Sequence, residues 1–175
     1  GYNPSPVWTA IGRPLASAAP STPAGLWLLA RIDLALLVGL FAAIGWGFGF
    51  EAACIAAIAW GSCGHTRYQW TGDAFLRQLW LATSLGALVL LRRGRPATAG
   101  ALLALATLER VFPGAFFLCY GLREVCVWIR RREMTREFRR FAAGAFATMI
   151  VAISVATLVA GRGVGVWSEF AENTQ

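Results

Sequence analysis

Two ionisable residues, Glu109 and Arg110, follow an apolar run that begins at Thr98. A charge with apolar residues on both sides must face protein or a water-filled cavity, because an apolar medium does not solvate it. Adjacent residues point about 100° apart on a helix, so these two pair poorly with each other and each requires another partner. Two interpretations stay open. The residues belong to a functional site, or they are buried charges that only tie two helices together.

The polar segment 63–73 holds the second group of residues that could do chemistry. Arg67 and Arg77 supply planar guanidinium groups for a phosphate, and a helix beginning near Asp73 would add the positive end of its dipole. His65 is the single histidine and could carry a proton near neutral pH. These residues favour an anion site. The alternative is structural, because Arg77 lies four residues after Asp73, the spacing of an ion pair within one helix.

Membrane helices must position these residues, as the composition indicates. Of 175 residues, 57% are hydrophobic and 14% are charged, whereas soluble domains carry about 25% charged residues. Residues 141–160 form an uncharged run of 20 residues, and a helix of that length spans about 30 Å, one bilayer core. Backbone amides in lipid must be bonded internally, and the two-residue alternation of barrel strands is missing, so these stretches are predicted to be helices.

We predict an all-α fold: a polytopic bundle of about six membrane helices in one domain, residues 1–175. Residues 1–24 contain five prolines and are predicted to be a loop, with a short interfacial helix near 7–11. The run from Thr98 provides only about 21 Å of helix, so it is expected to form a short broken hairpin around Glu109–Pro113 with the next helix. The helices are expected at about 25–44, 50–62, 74–91, 98–108, 114–129 and 141–160.

The arginines predict the sidedness of the bundle. The chain has 16 arginines, no lysine and a net charge of +7, and nine arginines lie in the segments 92–95 and 130–140. Positively charged loops face the cytoplasm, so both segments are expected there. The 45–49 turn should lie with them, although it carries no positive charge. The segments expected on the extracytoplasmic side are 1–24, 63–73, Glu109–Arg110 and the C-terminal tail.

Other kinds of site are not indicated. The four cysteines show no CxxC spacing, and no second ligand pair accompanies Cys63 and His65, so neither a metal nor a cofactor is expected. Cys119 and Cys126 lie seven residues apart on one helical face, which suits packing. The arginines cluster beside hydrophobic segments, so topology explains them better than binding of nucleic acid does.

Two blocks of the sequence resemble one enzyme family. YNPSPVWTAIGRPLA, then a short linker and LWLLARIDLALLVGL, is similar to the bacterial GT-C membrane glycosyltransferases that use polyprenyl-phosphate sugars, especially their mannosyltransferase-like branch. LRRGRPATAGALLALATLERVFPGAFFLCYGL resembles that branch's basic turn, small apolar helix, basic residue and proline. On this match Arg110 and Pro113 occupy the positions of the family's basic residue and proline. The resemblance covers residues 2–122.

The resemblance implies transfer of a sugar from a polyprenyl-phosphate donor to an extracytoplasmic acceptor at the bacterial inner membrane. The family's catalytic base is an Asp in the first outer loop. No matching motif is present, so the chain is expected to be a fragment whose base lies upstream. The residues expected to bind the donor phosphate are Arg110, Arg67 and Arg77, with Glu109, His65 and Asp73 in support.

Two other functions remain open. In a non-catalytic membrane subunit or anchor, Glu109–Arg110 and Asp73–Arg77 would be closed ion pairs without a cavity. A solute transporter would require internal repeats and a path from both sides of the membrane. The two halves of this sequence show no convincing self-similarity, so the transporter ranks last.

Overall fold

The computed structural model describes residues 5–63, 75–159, 163 and 165–172. These residues form helices and turns, and no strand occurs among them. A single 3-10 turn, Phe112–Gly114, interrupts the series. The α-helices are α1 (Pro6–Ala18), α2 (Pro23–Phe48), α3 (Phe50–Ser62), α4 (Leu79–Arg92), α5 (Pro96–Glu109), α6 (Ala115–Arg131), α7 (Arg136–Val159) and α8 (Gly165–Glu172).

Three helical segments are long and apolar enough to cross a membrane: Pro23–Phe48, Phe112–Arg131 and Arg136–Val159. The prediction of a helical membrane protein therefore agrees with the fold. The three remaining apolar helices, α3, α4 and α5, have 13, 14 and 14 residues. At about 1.5 Å per residue each is shorter than a bilayer core. The count of about six crossings stays a prediction for these three.

The backbones of α5 and α7 approach each other closely at two glycines. A Cβ atom at Gly100 would collide with the carbonyl oxygen of Phe141, and one at Gly144 would collide with the carbonyl oxygen of Ala97. Small residues at a helix crossing allow this contact, which drives helix association where lipid removes the hydrophobic effect. The core beside the crossing contains Ala87, Ala99, Leu103 and Phe141.

One end of the bundle collects the turns rich in arginine. The Arg93 guanidinium donates a hydrogen bond to the Trp46 carbonyl oxygen and lies 4.5 Å from the centre of the Trp46 ring. Residues 45–49, where α2 ends, and the turn 92–95 therefore lie side by side, as the predicted threading requires. Arg93 supplies the positive charge that 45–49 lacks. The α5–α7 crossing brings the start of α7 to the same end. We call residues 45–49, 92–95 and 130–140 the arginine-rich end.

The opposite end is closed by α1, which is longer than expected. The Ser5 side chain caps it by accepting a hydrogen bond from the Trp8 amide at 3.1 Å. The helix continues past Pro14 to Ala18, so the prediction that residues 1–24 are mainly loop was wrong. Tertiary contacts hold it: Trp8 Nε1 donates to the Leu76 carbonyl at 3.4 Å, and Arg13 donates to the Val159 carbonyl at 2.9 Å.

Candidate functional site

Three of the predicted site residues lie in the part of the chain that the structure describes: Arg77, Glu109 and Arg110. The other three, His65, Arg67 and Asp73, lie outside the described residues. Their proposed roles therefore remain predictions.

Glu109 is the last residue of α5 and has only 8% of its surface exposed. Its Oε1 atom is buried and lacks a hydrogen-bond partner among the described residues. A buried carboxyl oxygen without a partner loses its hydration without compensation, which costs about 1–3 kcal/mol or more. Such a group is a candidate for function because its burial works against stability.

Arg110 follows directly and is exposed. Its backbone is extended, with φ −143° and ψ 135°, so the chain leaves the helix here and enters the 3-10 turn before α6. This is the break that the short apolar run predicted. No ion pair joins Glu109 to Arg110 in the described structure, in agreement with the expectation that adjacent residues pair poorly. The two side chains thus place one buried acid beside one accessible cation.

Arg77 lies in a turn before α4, because this helix begins at Leu79 and not near residue 74 as predicted. Asp73 lies outside the described residues. Its predicted ion pair with Arg77 and the predicted helix N-terminus near it therefore stay predictions. The Arg77 side chain remains a candidate for phosphate binding.

Asp33 of α2 bonds the backbone immediately before α4. Its two carboxyl oxygens accept hydrogen bonds from the backbone amides of Arg77 and Gln78, each at 3.0 Å. Asp33 is completely buried, whereas Arg31, two residues earlier, is exposed. Because the Asp33 carboxylate accepts hydrogen bonds from these two amides, they are not available as donors to a bound phosphate. Sequence analysis missed this role, for which the signal was one acid within a long apolar helix.

Aromatic contacts bring the described candidates to the same end of the bundle. The rings of Trp80 and Phe112 meet edge to face with their centres 4.6 Å apart, which joins the start of α4 to the turn after Arg110. Trp8 and Phe75 meet at 5.9 Å, which joins α1 to the segment before Arg77. We call α1, residues 75–80 and residues 109–114 the Glu109 end.

An apolar cleft of about 360 Å³ lies between α1, α5 and α7. Leu105 lines it from α5 and lies four residues before Glu109, so both side chains project from the same side of that helix. Arg77 and Arg110 are not among the lining residues. The cleft thus runs beside the Glu109 end without containing the arginines. Residues from the other two helices include Val7 and Ile11 of α1 and Val151 and Val155 of α7.

The cysteines do not assemble a metal centre in the described part of the chain, where no group of three His, Cys, Asp or Glu residues could hold an ion. Cys119 and Cys126 are exposed on α6. The described part of this chain therefore does not cover the helical face that they share, and the packing that their spacing suits stays a prediction. Comparison of the chain with protein-family models, curated proteins and solved structures found no match.

Proposed function

We propose that this chain is part of a membrane glycosyltransferase that moves a sugar from a polyprenyl-phosphate donor to an extracytoplasmic acceptor. The sequence blocks quoted above support the proposal. The observation that carries it is a carboxyl with one buried, unpartnered oxygen at the Glu109 end, which is followed directly by an exposed arginine and projects from the same side of α5 as a residue of the apolar cleft. Lipid-linked sugar donors combine these same chemical features: a sugar rich in hydroxyls, an anionic phosphate and a long apolar chain.

Arg110 has the chemistry required at the leaving group. When the bond between the anomeric carbon and the phosphate oxygen breaks, the phosphate keeps the bonding electrons and its negative charge becomes more concentrated. A guanidinium already in place stabilises that charge more strongly than water does, since it does not have to reorient. It also binds two phosphate oxygens at once. Arg67 and Arg77 are the further cations proposed for this role.

Glu109 has the chemistry to hold the sugar. Its Oε1 atom can accept a hydrogen bond from a sugar hydroxyl, which would remove the penalty of the unpartnered oxygen. The acceptor must in addition lose a proton to a base on the face of the sugar opposite the leaving group. We assign none of the described residues to that base, and His65 and Asp73 are proposed as supporting groups near the donor.

The test is sugar transfer by the complete protein in lipid, with a polyprenyl-phosphate sugar as donor. Arg110→Ala is expected to abolish transfer while the protein still inserts. Arg31→Ala is the matched control, because Arg31 is likewise an exposed arginine toward this end. Full transfer by Arg110→Ala would remove this residue from the mechanism. Loss of transfer in both variants would point to a general effect of charge.

A non-catalytic membrane subunit is the second candidate, and two internal contacts favour it. Asp33 is bonded to backbone amides, and Glu124 of α6 accepts hydrogen bonds from the Thr135 amide and hydroxyl at 2.8 and 2.9 Å. Both acids tie elements of the bundle together. If the chain is non-catalytic, Glu109→Gln should not change any sugar transfer measured with the complete protein. The glycosyltransferase proposal instead expects this variant to have a higher KM for the donor.

A further inference from the structure

The arginine-rich end carries a strong excess of positive charge. Its nine arginines are all exposed: Arg92, Arg93, Arg95, Arg130, Arg131, Arg132, Arg136, Arg139 and Arg140. The exposed acids on the same elements are Glu51, Glu133 and Glu137. Among the described residues the single ion pair joins Arg123 to Glu124 at 3.9 Å, so none of the nine arginines is neutralised by a neighbour.

Two of these arginines gather at one aromatic ring. The Arg93 guanidinium lies 4.5 Å from the centre of the Trp46 ring and is tied to the Trp46 carbonyl, and the Arg95 guanidinium lies 6.0 Å from the same centre. Contact with the ring and the carbonyl limits the freedom of both side chains. Both guanidinium groups thus lie within 6.0 Å of one ring centre, and contact with the ring reduces the rotamer entropy that they lose when they bind an anion.

The surroundings of this pair match a lipid more closely than a soluble anion. Trp46 is 48% exposed, and Phe48 and Phe50, which end α2 and begin α3, are also exposed. Trp128 lies near Arg132 at the same end, with 5.7 Å between the guanidinium carbon and the ring centre. Exposed tryptophans at the ends of apolar helices mark the headgroup level of a membrane. A molecule bound here would contact guanidinium groups with one part and apolar side chains with another.

We propose that the arginine-rich end binds anionic phospholipid, with Arg93 and Arg95 at Trp46 receiving the headgroup phosphate and the exposed aromatic side chains contacting the acyl chains. Each arginine near an anionic membrane surface adds about 1 kcal/mol of attraction. Removal of both charges therefore weakens binding of anionic lipid by about 30-fold. This surface lies away from the Glu109 end, and the proposal does not depend on sugar transfer.

The experiment measures lipid binding by the full chain in a neutral detergent. The purified protein is titrated with phosphatidylglycerol or phosphatidylcholine, and bound lipid is quantified. Inorganic phosphate at the same concentrations is a third arm. We expect preference for phosphatidylglycerol, with no comparable effect of inorganic phosphate. Equal binding of both lipids would overturn the proposal, and competition by inorganic phosphate would assign the site to a free anion.

Matched variants locate the binding. In Arg93→Gln/Arg95→Gln the affinity for phosphatidylglycerol should fall by about 30-fold and that for phosphatidylcholine should not change. Arg13→Gln/Arg31→Gln is the control toward the opposite end. It removes the same charge, and Arg13, like Arg93, donates to a backbone carbonyl. Equal losses in both double variants would refute a local site. If the first double variant misfolds, Arg139→Gln/Arg140→Gln replaces it in the test, because it should also lower the affinity for phosphatidylglycerol.

Discussion

Replacement of Asp33 by alanine tests the contact that connects α2 to the beginning of α4. The side chain is fully buried and accepts two hydrogen bonds, from the amides of Arg77 and Gln78. Asp33→Ala removes both acceptors and leaves two amides without them. Asp33→Asn keeps one carbonyl oxygen and presents an NH₂ group to the other amide, so it should produce a smaller loss.

The magnitude follows from the number of bonds. Hydrogen bonds between membrane helices contribute about 0.6 kcal/mol each on average and at most about 1.7. Two bonds give a loss of about 1–3 kcal/mol for Asp33→Ala, which is about 5- to 150-fold in the unfolding equilibrium constant. Arg31→Ala is the control on the same helix, because an exposed side chain should change the free energy of unfolding by less than about 0.5 kcal/mol.

Unfolding by added sodium dodecyl sulfate, followed by circular dichroism at reversible equilibrium, measures this difference. We expect the order of stability to be wild type and Arg31→Ala, then Asp33→Asn, then Asp33→Ala. An Asp33→Ala protein as stable as the control would refute the conclusion that this carboxylate holds α4 in place. A loss shared by Arg31→Ala would indicate a change in α2 itself.

Three other substitutions probe separate parts of the bundle. Gly144→Val should separate α5 from α7, because its Cβ would collide with the Ala97 carbonyl, and should shift the detergent unfolding midpoint strongly downward. Gly121→Ala should not shift it, because a Cβ there would meet no heavy atom within 4 Å. Thr135→Val should lower the free energy of unfolding by about 1–3 kcal/mol in the same assay, since it removes the hydroxyl bonded to buried Glu124. Glu109→Leu should raise the unfolding free energy by about 1–3 kcal/mol through removal of an unpartnered oxygen, and a lower value would show that Glu109 has a stabilising partner.

The positions of the apolar helices could be predicted because each follows from a local pattern. The long helix near 25–44 and the break after Glu109 required only an uncharged run and its interruption by charge and proline. Predictions failed where packing overrides local preference. Pro14 indicated a loop, yet α1 passes through it because Trp8 and Arg13 bond to distant carbonyls.

The candidate site could be predicted only as a set of residue types. Sequence reasoning selected Glu109 and Arg110 because charges in apolar surroundings require a reason. It could not foresee that Glu109 would be buried with an unpartnered oxygen and Arg110 exposed, since α5 ends at Glu109 and the path of the chain beyond it depends on packing. It missed the bonds from Asp33 to the backbone amides before α4, because Asp33 and these amides are more than 40 residues apart.

Composition and the spacing of charges alone determined that this is a helical membrane protein with nine of its 16 arginines gathered in two segments. Those properties depend on the free energy of transferring side chains from water to lipid. Each residue contributes to this free energy independently of its distant neighbours. The tertiary structure decided that 45–49 lies against Arg93 and that α5 and α7 cross at two glycines. It also decided that Asp33 of α2 bonds the backbone amides immediately before α4. Such contacts join residues far apart in the chain, and their energies exist only once the helices have packed.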